Sequence, residues 1–340
     1  MADQNPVPPE KSRLSGWLVF ACKALVTGCL FWWLASSKTL QLGTLSVLVR
    51  SPRVLVATIV AWLVVSVALS TLRWRFLLSA SDISIPLPRA AALQMMALFF
   101  NSVVPGNVGG DVLKNLYVVR GRRAHVFVMV VGERFIGLFG LIWIGALAVA
   151  GSLSRYWNEP RLVPLLLATA VLAAGTLLTP WLSKLFLRVI ARRGETTRDG
   201  TEKTSGLGRA LEALRVSLEI FHERRRQVLG AFVVSLAIHA VNMLYFYLIA
   251  LELGNAGADL GRVALVYPLG MLTLILPISL SGLGVGHLAF EQLFTMVGLQ
   301  GGANVFNVFI VGALAPCLIG AVPYLFLRRE HGAPVLVDSD

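Results

Sequence analysis

Long apolar runs separated by short polar segments repeat along almost the whole chain. These mainly apolar runs occupy residues 16–36, 54–78, 124–151, 162–183, 227–253 and 303–327. An α-helix needs about twenty such residues to cross the hydrocarbon core of a bilayer. The pattern therefore predicts an all-α polytopic integral membrane protein with about six full spans.

Two further apolar runs, residues 87–120 and 260–297, are each interrupted by a glycine-rich break. The first break reads Pro-Gly-Asn-Val-Gly-Gly from Pro105, and the second follows Pro277 with serines and glycines. Each half is too short to cross a bilayer, and two broken helices in corresponding positions indicate a transporter-type site near the membrane midplane. We therefore predict two re-entrant helical hairpins. The alternative is two glycine-rich loops between ordinary helices.

The composition supports the assignment as a membrane protein and argues against a soluble or nucleic-acid-binding protein. The chain has 340 residues, of which 56% are hydrophobic and 14% are charged, whereas roughly a quarter of the residues of a soluble domain are charged. The net charge of +12 would suggest nucleic acid as a partner of a soluble protein. Here the basic residues lie in loops beside apolar runs, so membrane orientation and anionic headgroups explain them better. The three cysteines lie inside apolar runs, and we expect neither a disulfide nor a metal site.

The distribution of Lys and Arg predicts the threading of the chain. With the N-terminus in the cytoplasm, most of the 30 basic residues fall on the cytoplasmic side, as the positive-inside rule requires. Residues 1–15 are then a flexible cytoplasmic tail, residues 184–226 a basic cytoplasmic loop and residues 328–340 a second cytoplasmic tail. Residues 16–327 form one transmembrane domain. The first apolar run is long enough to remain as an anchor rather than a cleaved signal peptide.

The same threading relates the two hairpins and marks the membrane surface. The first hairpin enters from the cytoplasm and the second from the opposite side, so the two form an inverted pair. Trp74 between Arg73 and Arg75 is predicted as an anchor at the membrane surface. Residues 207–221 carry leucines at helical spacing, which fits either a linker helix on the cytoplasmic face or a helix that contacts headgroups or a partner.

The first hairpin carries polar groups suited to an anionic ligand. Glycines allow the chain to turn and a ligand to approach closely, and free N–H groups at a helix start attract anions. Asp111 is either a helix cap or a functional carboxylate. Lys114 either contacts a headgroup or extends to the cytoplasmic surface. The candidate substrate-binding residues here are Asn101, Pro105, Gly106, Asn107, Gly109, Gly110, Asp111 and Lys114.

Glu133 and Arg134 lie inside the predicted span 124–151. Ionisable groups at such positions are costly, face an interior cavity in most cases and indicate a functional site. We expect Arg134 to pair with Asp111 or to bind a phosphate through two hydrogen bonds. The alternative for both residues is an ion pair between helices with a purely structural role.

The second hairpin supplies the other half of the predicted site. His287 and Glu291 are one helical turn apart and share a face, which fits a position opposite Asp111. The alternative for His287 is a buried histidine with satisfied hydrogen bonds. His239, in another span, is better explained as a buried histidine with satisfied hydrogen bonds than as a functional residue. The candidate substrate-binding residues of this half are Ser279, Ser281, Gly282, Gly284, His287 and Glu291.

Catalytic signatures are missing from the sequence. It has no HExxH, Walker, GxSxG or metal-spaced His/Cys pattern, each of which would indicate a known chemistry. The carboxylates and histidines described above are able to do acid–base work, but no nucleophile has an evident base. We therefore expect no enzyme, no catalytic residue and no cofactor.

The chain resembles the lysylphosphatidylglycerol synthetase/flippase membrane-domain family, also called flippase-like, over about residues 14–327. Three motifs carry the resemblance: Pro105-Gly106-x-Val108-Gly109-Gly110-Asp111-x-x-Lys114, Glu133-Arg134, and Pro277-Ile278-Ser279-x-x-Gly282-Leu283-Gly284-Val285. The resemblance implies a protein of the inner (plasma) membrane with two re-entrant helix pairs, which moves lipids or lipid-linked groups between leaflets and forms dimers.

At single positions the resemblance is uneven. Asp111, Lys114 and Arg134 match the acidic and basic positions of the family, whereas His287 stands where the family often has Glu. No segment after Arg329 is long enough for a soluble synthetase domain, so aminoacyl transfer is not carried over. We expect translocation of an anionic phospholipid or lipid-linked headgroup through a central cavity. The alternatives are a membrane enzyme acting on polyprenyl- or glycolipids and a lipid-binding scaffold that does not transport.

Overall fold

Every regular element in the described part of the structure is helical. The computed structural model describes residues 41–103, 109–118, 123–156, 159–178, 223–255, 257–274 and 283–330, and six helical positions between 25 and 36. The helices are α1 (Val47–Arg50), α2 (Pro52–Ala80), α3 (Leu87–Val103), α4 (Gly109–Val118), α5 (Arg123–Tyr156), α6 (Val163–Leu177), α7 (Arg225–Glu252), α8 (Leu260–Thr273), α9 (Val285–Met296) and α10 (Gly302–Leu314, continued through the 3-10 segment Ala315–Gly320 into Ala321–Glu330). The predicted tails, the loop 184–222 and most of the run 16–36 lie outside the described residues.

Four helices of the described part are long and apolar enough to cross a membrane. They are α2, residues Met129–Gly151 of α5, α7, and residues Gly302–Phe326 of α10, with mean hydropathies from 1.8 to 2.4. These four coincide with predicted apolar runs. Helix α6 has 15 described residues and ends before the predicted 162–183 run does. The number of spans, six, stays a prediction.

Helices α2 and α7 run antiparallel, as ion pairs at both ends show. Arg53 at the start of α2 lies 3.6 Å from Glu252 at the end of α7, and Arg224 before α7 lies 2.7 Å from Asp82 after α2. The 29 residues of α2 span about 40 Å at 1.5 Å per residue. We call the Arg224 side the basic end, because the basic segment 184–226 finishes there, and the opposite side the Glu252 end.

Aromatic side chains of α7, α8, α9 and α10 form the core. Phe246 of α7 is completely buried and its ring contacts the rings of Tyr267, Phe290 and Phe309. Phe290 stacks on Phe306 with ring centroids 4.9 Å apart. Such pairs add about 0.5–1.5 kcal/mol beyond the burial of their area. This core holds the second pair of short helices, α8 and α9, against α7 and α10.

Helices α3 and α4 pack side by side and antiparallel. Their bounds agree within one residue with the arms predicted at 87–104 and 109–119. A Cβ atom at Gly110 would overlap the backbone carbonyl of Ala97, so a residue without a side chain allows the close approach. Lys114 reaches back to Gln94 over the next turns. Residues 104–108, which join the helices, lie outside the described part, and the re-entrant path stays a prediction.

The second broken run also forms two helices at the predicted places. Helices α8 and α9 correspond to the arms predicted at 260–276 and 283–297, each shorter by a few residues. Gly284 precedes α9 with a φ of +83°, a backbone conformation that favours glycine. The break itself, residues 275–282, lies outside the described part. The inverted relation of the two helix pairs therefore stays a prediction as well.

The contact between α3 and α4 predicts the effect of a single methyl group. Gly110→Ala forces the two backbones apart, and we expect a loss of about 1–3 kcal/mol of stability, as for other overpacked interiors. Thermal unfolding of the full chain in detergent measures it. Gly175→Ala is the matched control, because a Cβ there meets nothing within 4 Å. An equal melting temperature for both variants would contradict the close packing of α3 on α4.

Candidate functional site

Five charged side chains from three helices meet in the interior of the bundle. We call Arg73 of α2, Asp111 and Lys114 of α4, and Glu133 and Arg134 of α5 the ionic network. It contains three bases and two carboxylates, so its formal charge is +1. The amide side chains that bond to members of the network or to the backbone beside it are Gln94, Asn101 and Asn115.

Lys114 is the centre of the network and has no exposed surface. Its Nζ donates to Oε2 of Glu133 at 2.7 Å and to Oε1 of Gln94 at 2.9 Å, and lies 3.7 Å from Oδ1 of Asp111. The ring of Trp74 lies 5.0 Å from Nζ, a distance at which the π-system attracts a cation. The prediction that Lys114 extends to the membrane surface is therefore wrong. Its charge is compensated in place, as a buried ammonium requires.

Glu133 connects α5 to two other helices. Its Oε2 accepts from Lys114 and its Oε1 accepts from Arg73 NH2 at 3.2 Å, while its side chain is only 7% exposed. Within the described part of the chain, the buried Nε of Arg73 has no hydrogen-bond partner. Each oxygen of the Glu133 carboxylate thus pairs with one cation, Arg73 or Lys114. These two ion pairs fix α2, α4 and α5 relative to one another.

Asp111 pairs with Arg134, which is one of the two arrangements that the sequence predicted for Arg134. Its other oxygen accepts from Asn101 Nδ2 at 3.1 Å, and the same amide accepts from the Gly110 N–H at 2.9 Å through its Oδ1. Asn101 therefore caps the start of α4, which leaves the carboxylate of Asp111 to Arg134. Asn101 rather than Asp111 accepts from the Gly110 N–H, and the functional role of the Asp111 carboxylate stays a prediction.

Arg134 gives the network an accessible side. Its side chain is 47% exposed, against 0% for Lys114 and 11% for Asp111. It lies ten residues after Ala124, where the predicted apolar run begins, which is about 15 Å along the helix. Arg73 lies seven residues before the end of α2 at Ala80, so the network is nearer the basic end. The Asp111 carboxylate is the anion beside this guanidinium, and ionisable groups at that depth commonly face an interior or a water-filled cavity.

His287 and Glu291 have contacts in another part of the bundle. His287 is fully buried; its Nδ1 accepts from the Gly284 N–H at 3.3 Å and its Nε2 lies 3.3 Å from Asn307 Oδ1. Glu291 accepts from the Ala303 N–H at 2.9 Å through Oε2. These bonds join α9 to its own start and to α10. The position of His287 and Glu291 opposite Asp111 stays a prediction.

The remaining predicted residues divide into described and undescribed ones. Gly109 and Gly110 begin α4 and Gly284 precedes α9. Those outside the described part are Pro105, Gly106, Asn107, Ser279, Ser281 and Gly282. His239 contacts the Gly137 carbonyl through Nε2 at 2.9 Å, but its buried Nδ1 has no hydrogen-bond partner among the described residues, so the predicted satisfaction of its hydrogen bonds is met at one nitrogen only. In the described part, no group of three His, Cys, Asp or Glu side chains is arranged to hold a metal ion.

The sequence prediction missed Arg73, Gln94 and Asn115. Arg73 was interpreted as a surface anchor with Trp74, yet its side chain is 15% exposed and Trp74 is completely buried. A signal existed for two of the missed residues. Gln94 lies seven positions before Asn101, and Asn115 four positions after Asp111, so each pair shares a helix face.

The network predicts that removal of one buried partner destabilises the protein. Lys114→Met leaves Glu133 and Gln94 without their main donor, and we expect a loss of about 3–5 kcal/mol, measured by unfolding in detergent. Lys114→Met with Glu133→Gln should recover part of this loss, because the unpaired charge is removed. As the control, Arg53→Gln breaks an ion pair whose arginine is 82% exposed and should cost less than about 1 kcal/mol. Equal losses in the buried and exposed variants would contradict the burial of the network.

Comparison with known proteins gives one family. A family model described as the lysylphosphatidylglycerol synthase TM region matches residues 20–329. This range contains the whole ionic network and both pairs of short helices. No curated protein and no solved structure matches the chain. The match confirms the resemblance seen in the sequence motifs and, with four membrane-length helices in the described part, it shows a multi-pass membrane protein. The chain belongs to the lysylphosphatidylglycerol synthase TM region family.

Proposed function

We propose that this protein translocates an anionic phospholipid, or a lipid-linked anionic headgroup, between the leaflets of the inner (plasma) membrane. The family to which the chain belongs indicates a function connected with membrane lipids. Within that range, the proposal assigns the headgroup to the accessible side of the ionic network. The basic end then faces the cytoplasm, because the segment 184–226 is rich in Lys and Arg.

The half-exposed Arg134 on the Asp111 carboxylate is the observation that carries the proposal. A guanidinium offers two parallel N–H groups, a geometry that matches the oxygens of a phosphate as well as those of a carboxylate. The network has one more base than it has carboxylates, so a phosphodiester with one negative charge would bring its formal charge to zero. A neutral or cationic headgroup would find no such complement.

Exchange of partners gives this site a way to release what it binds. When a phosphate binds Arg134 in place of Asp111, the Asp111 carboxylate keeps its hydrogen bond from Asn101 and lies 3.7 Å from Lys114. No charge is then left buried without a partner, a condition that would cost several kcal/mol per ion. When Asp111 takes Arg134 back, the headgroup is released. The buried pair Lys114–Glu133 stays in place during the exchange and holds the helices.

Two substitutions separate binding from translocation. Arg134→Gln removes the guanidinium that is proposed to bind the phosphate. We expect both the lipid affinity and the rate of leaflet exchange to fall about tenfold or more, because a charge-assisted hydrogen bond is lost. Asp111→Asn removes the competitor for Arg134, so affinity should rise while exchange slows. Full-length protein in liposomes with fluorescent phosphatidylglycerol, read by quenching of the outer leaflet, measures the exchange.

Arg161→Gln is the matched control, since Arg161 is exposed and lies outside the network. Melting temperatures of all variants confirm that each is folded. Exchange by the parent that persists in Arg134→Gln would overturn the assignment of the site. Binding without exchange in the parent would indicate a lipid-binding scaffold instead, and a chemically altered lipid would indicate an enzyme.

A further inference from the structure

An open cavity lies at the Glu252 end, far from the ionic network. Its volume is about 590 Å³, and the polar and charged residues that line it are Thr44, Ser46, Arg50, Ser51, Arg53 and Glu252. Twenty residues of α2 separate Arg53 from Arg73, which is about 30 Å along a helix. The cavity is therefore a separate site near the opposite membrane surface.

The charges of this cavity favour an anion. It contains two arginines and one carboxylate, so its formal charge is +1. Glu252 accepts from the Ser51 hydroxyl at 3.1 Å and lies 3.6 Å from NH1 of Arg53, a loose pair whose arginine is 82% exposed. Among the described residues, the exposed side chain of Arg50 has no hydrogen-bond or ion-pair partner. Two guanidiniums are thus available to one ligand, and one of them is weakly held.

A strip of exposed apolar side chains leads from the cavity along α2. Val56, Val60 and Leu63 follow Arg53 at spacings of three, four and three residues, which places them on one helix face. Their exposed fractions are 58%, 48% and 50%. Because the same face carries Arg53 at one end and apolar groups below it, a molecule with an anionic head and hydrocarbon chains fits it. A soluble phosphate would use the cavity and leave the strip unused.

We propose that this cavity binds the phosphate of an anionic phospholipid from the leaflet at the Glu252 end. Arg50 and Arg53 hold the phosphate oxygens, and the acyl chains lie along Val56, Val60 and Leu63. Glu252 competes with the lipid for Arg53 and so limits the affinity. This binding does not depend on translocation: the site holds a lipid whether or not the ionic network moves one.

Lipid titration of the full chain tests the site. The probe is dioleoyl phosphatidylglycerol added to protein in neutral detergent, with bound lipids counted by native mass spectrometry. All measurements use the Arg134→Gln background, which removes the contribution of the ionic network. The double substitution Arg50→Gln/Arg53→Gln should raise the Kd about tenfold, since charge-assisted bonds to phosphate are lost. Glu252→Gln should lower the Kd, because Arg53 is released from its competitor.

Arg161→Gln serves as the control with the same change of charge outside the cavity. Unchanged Kd values in both the arginine and Glu252 variants would overturn the proposal, and so would an equal loss in Arg161→Gln, which would indicate attraction by surface charge alone. Inorganic phosphate is titrated as a competitor. If it displaces the lipid at equal concentration, the cavity is a site for soluble phosphate and the lipid assignment is wrong. Leaflet exchange measured on the parent chain reports separately on the proposed function.

Discussion

An ammonium and a carboxylate buried in an apolar helix bundle are the constraint on which the site depends. Lys114 and Glu133 lie 2.7 Å apart with almost no exposed surface, where an unpaired ion would cost several kcal/mol. Lys114 donates a further hydrogen bond to Gln94 of α3, and Glu133 accepts one from Arg73 of α2. Helices α2, α3, α4 and α5 therefore have to meet at one point. The short helix α4 is held in the bundle by that requirement together with the close contact of Gly110 on Ala97.

Much of the fold was predictable because the thickness of the membrane sets the length of the apolar runs that cross it. Apolar runs of bilayer length marked α2, α5, α7 and α10 to within a few residues, and glycine-rich breaks marked the paired short helices α3–α4 and α8–α9. The pairing of Arg134 with Asp111 was one of two alternatives that the sequence offered, since an ionisable residue inside a span needs a partner of opposite charge. These features depend on local composition, which a single sequence contains.

Features that depend on packing were harder to predict. Arg73 has the sequence context of a surface anchor, and only the position of α5 beside α2 shows that Glu133 takes its guanidinium. His287 and Glu291 have the spacing of a shared polar face, yet their bonds cap α9 and α10. Helical spacing tells which residues share a face but not which neighbour that face meets. The choice of neighbour is a property of the whole bundle.

Exposure distinguishes Arg134 from a permanent structural ion cluster. A cluster that only joins helices needs no exposed surface, which describes Lys114 and Glu133 with their partners Gln94 and Arg73. Arg134 departs from this, because nearly half of its side chain is exposed. Exposure lowers the attraction that Asp111 exerts on it, because water screens the pair. In the proposed function, a phosphate therefore competes for Arg134 at moderate cost, whereas it cannot compete for the fully buried Lys114. The buried half and the exposed half of the network are adjacent on α5, at Glu133 and Arg134, so the helix that holds the bundle together also carries the residue to which we assign the headgroup.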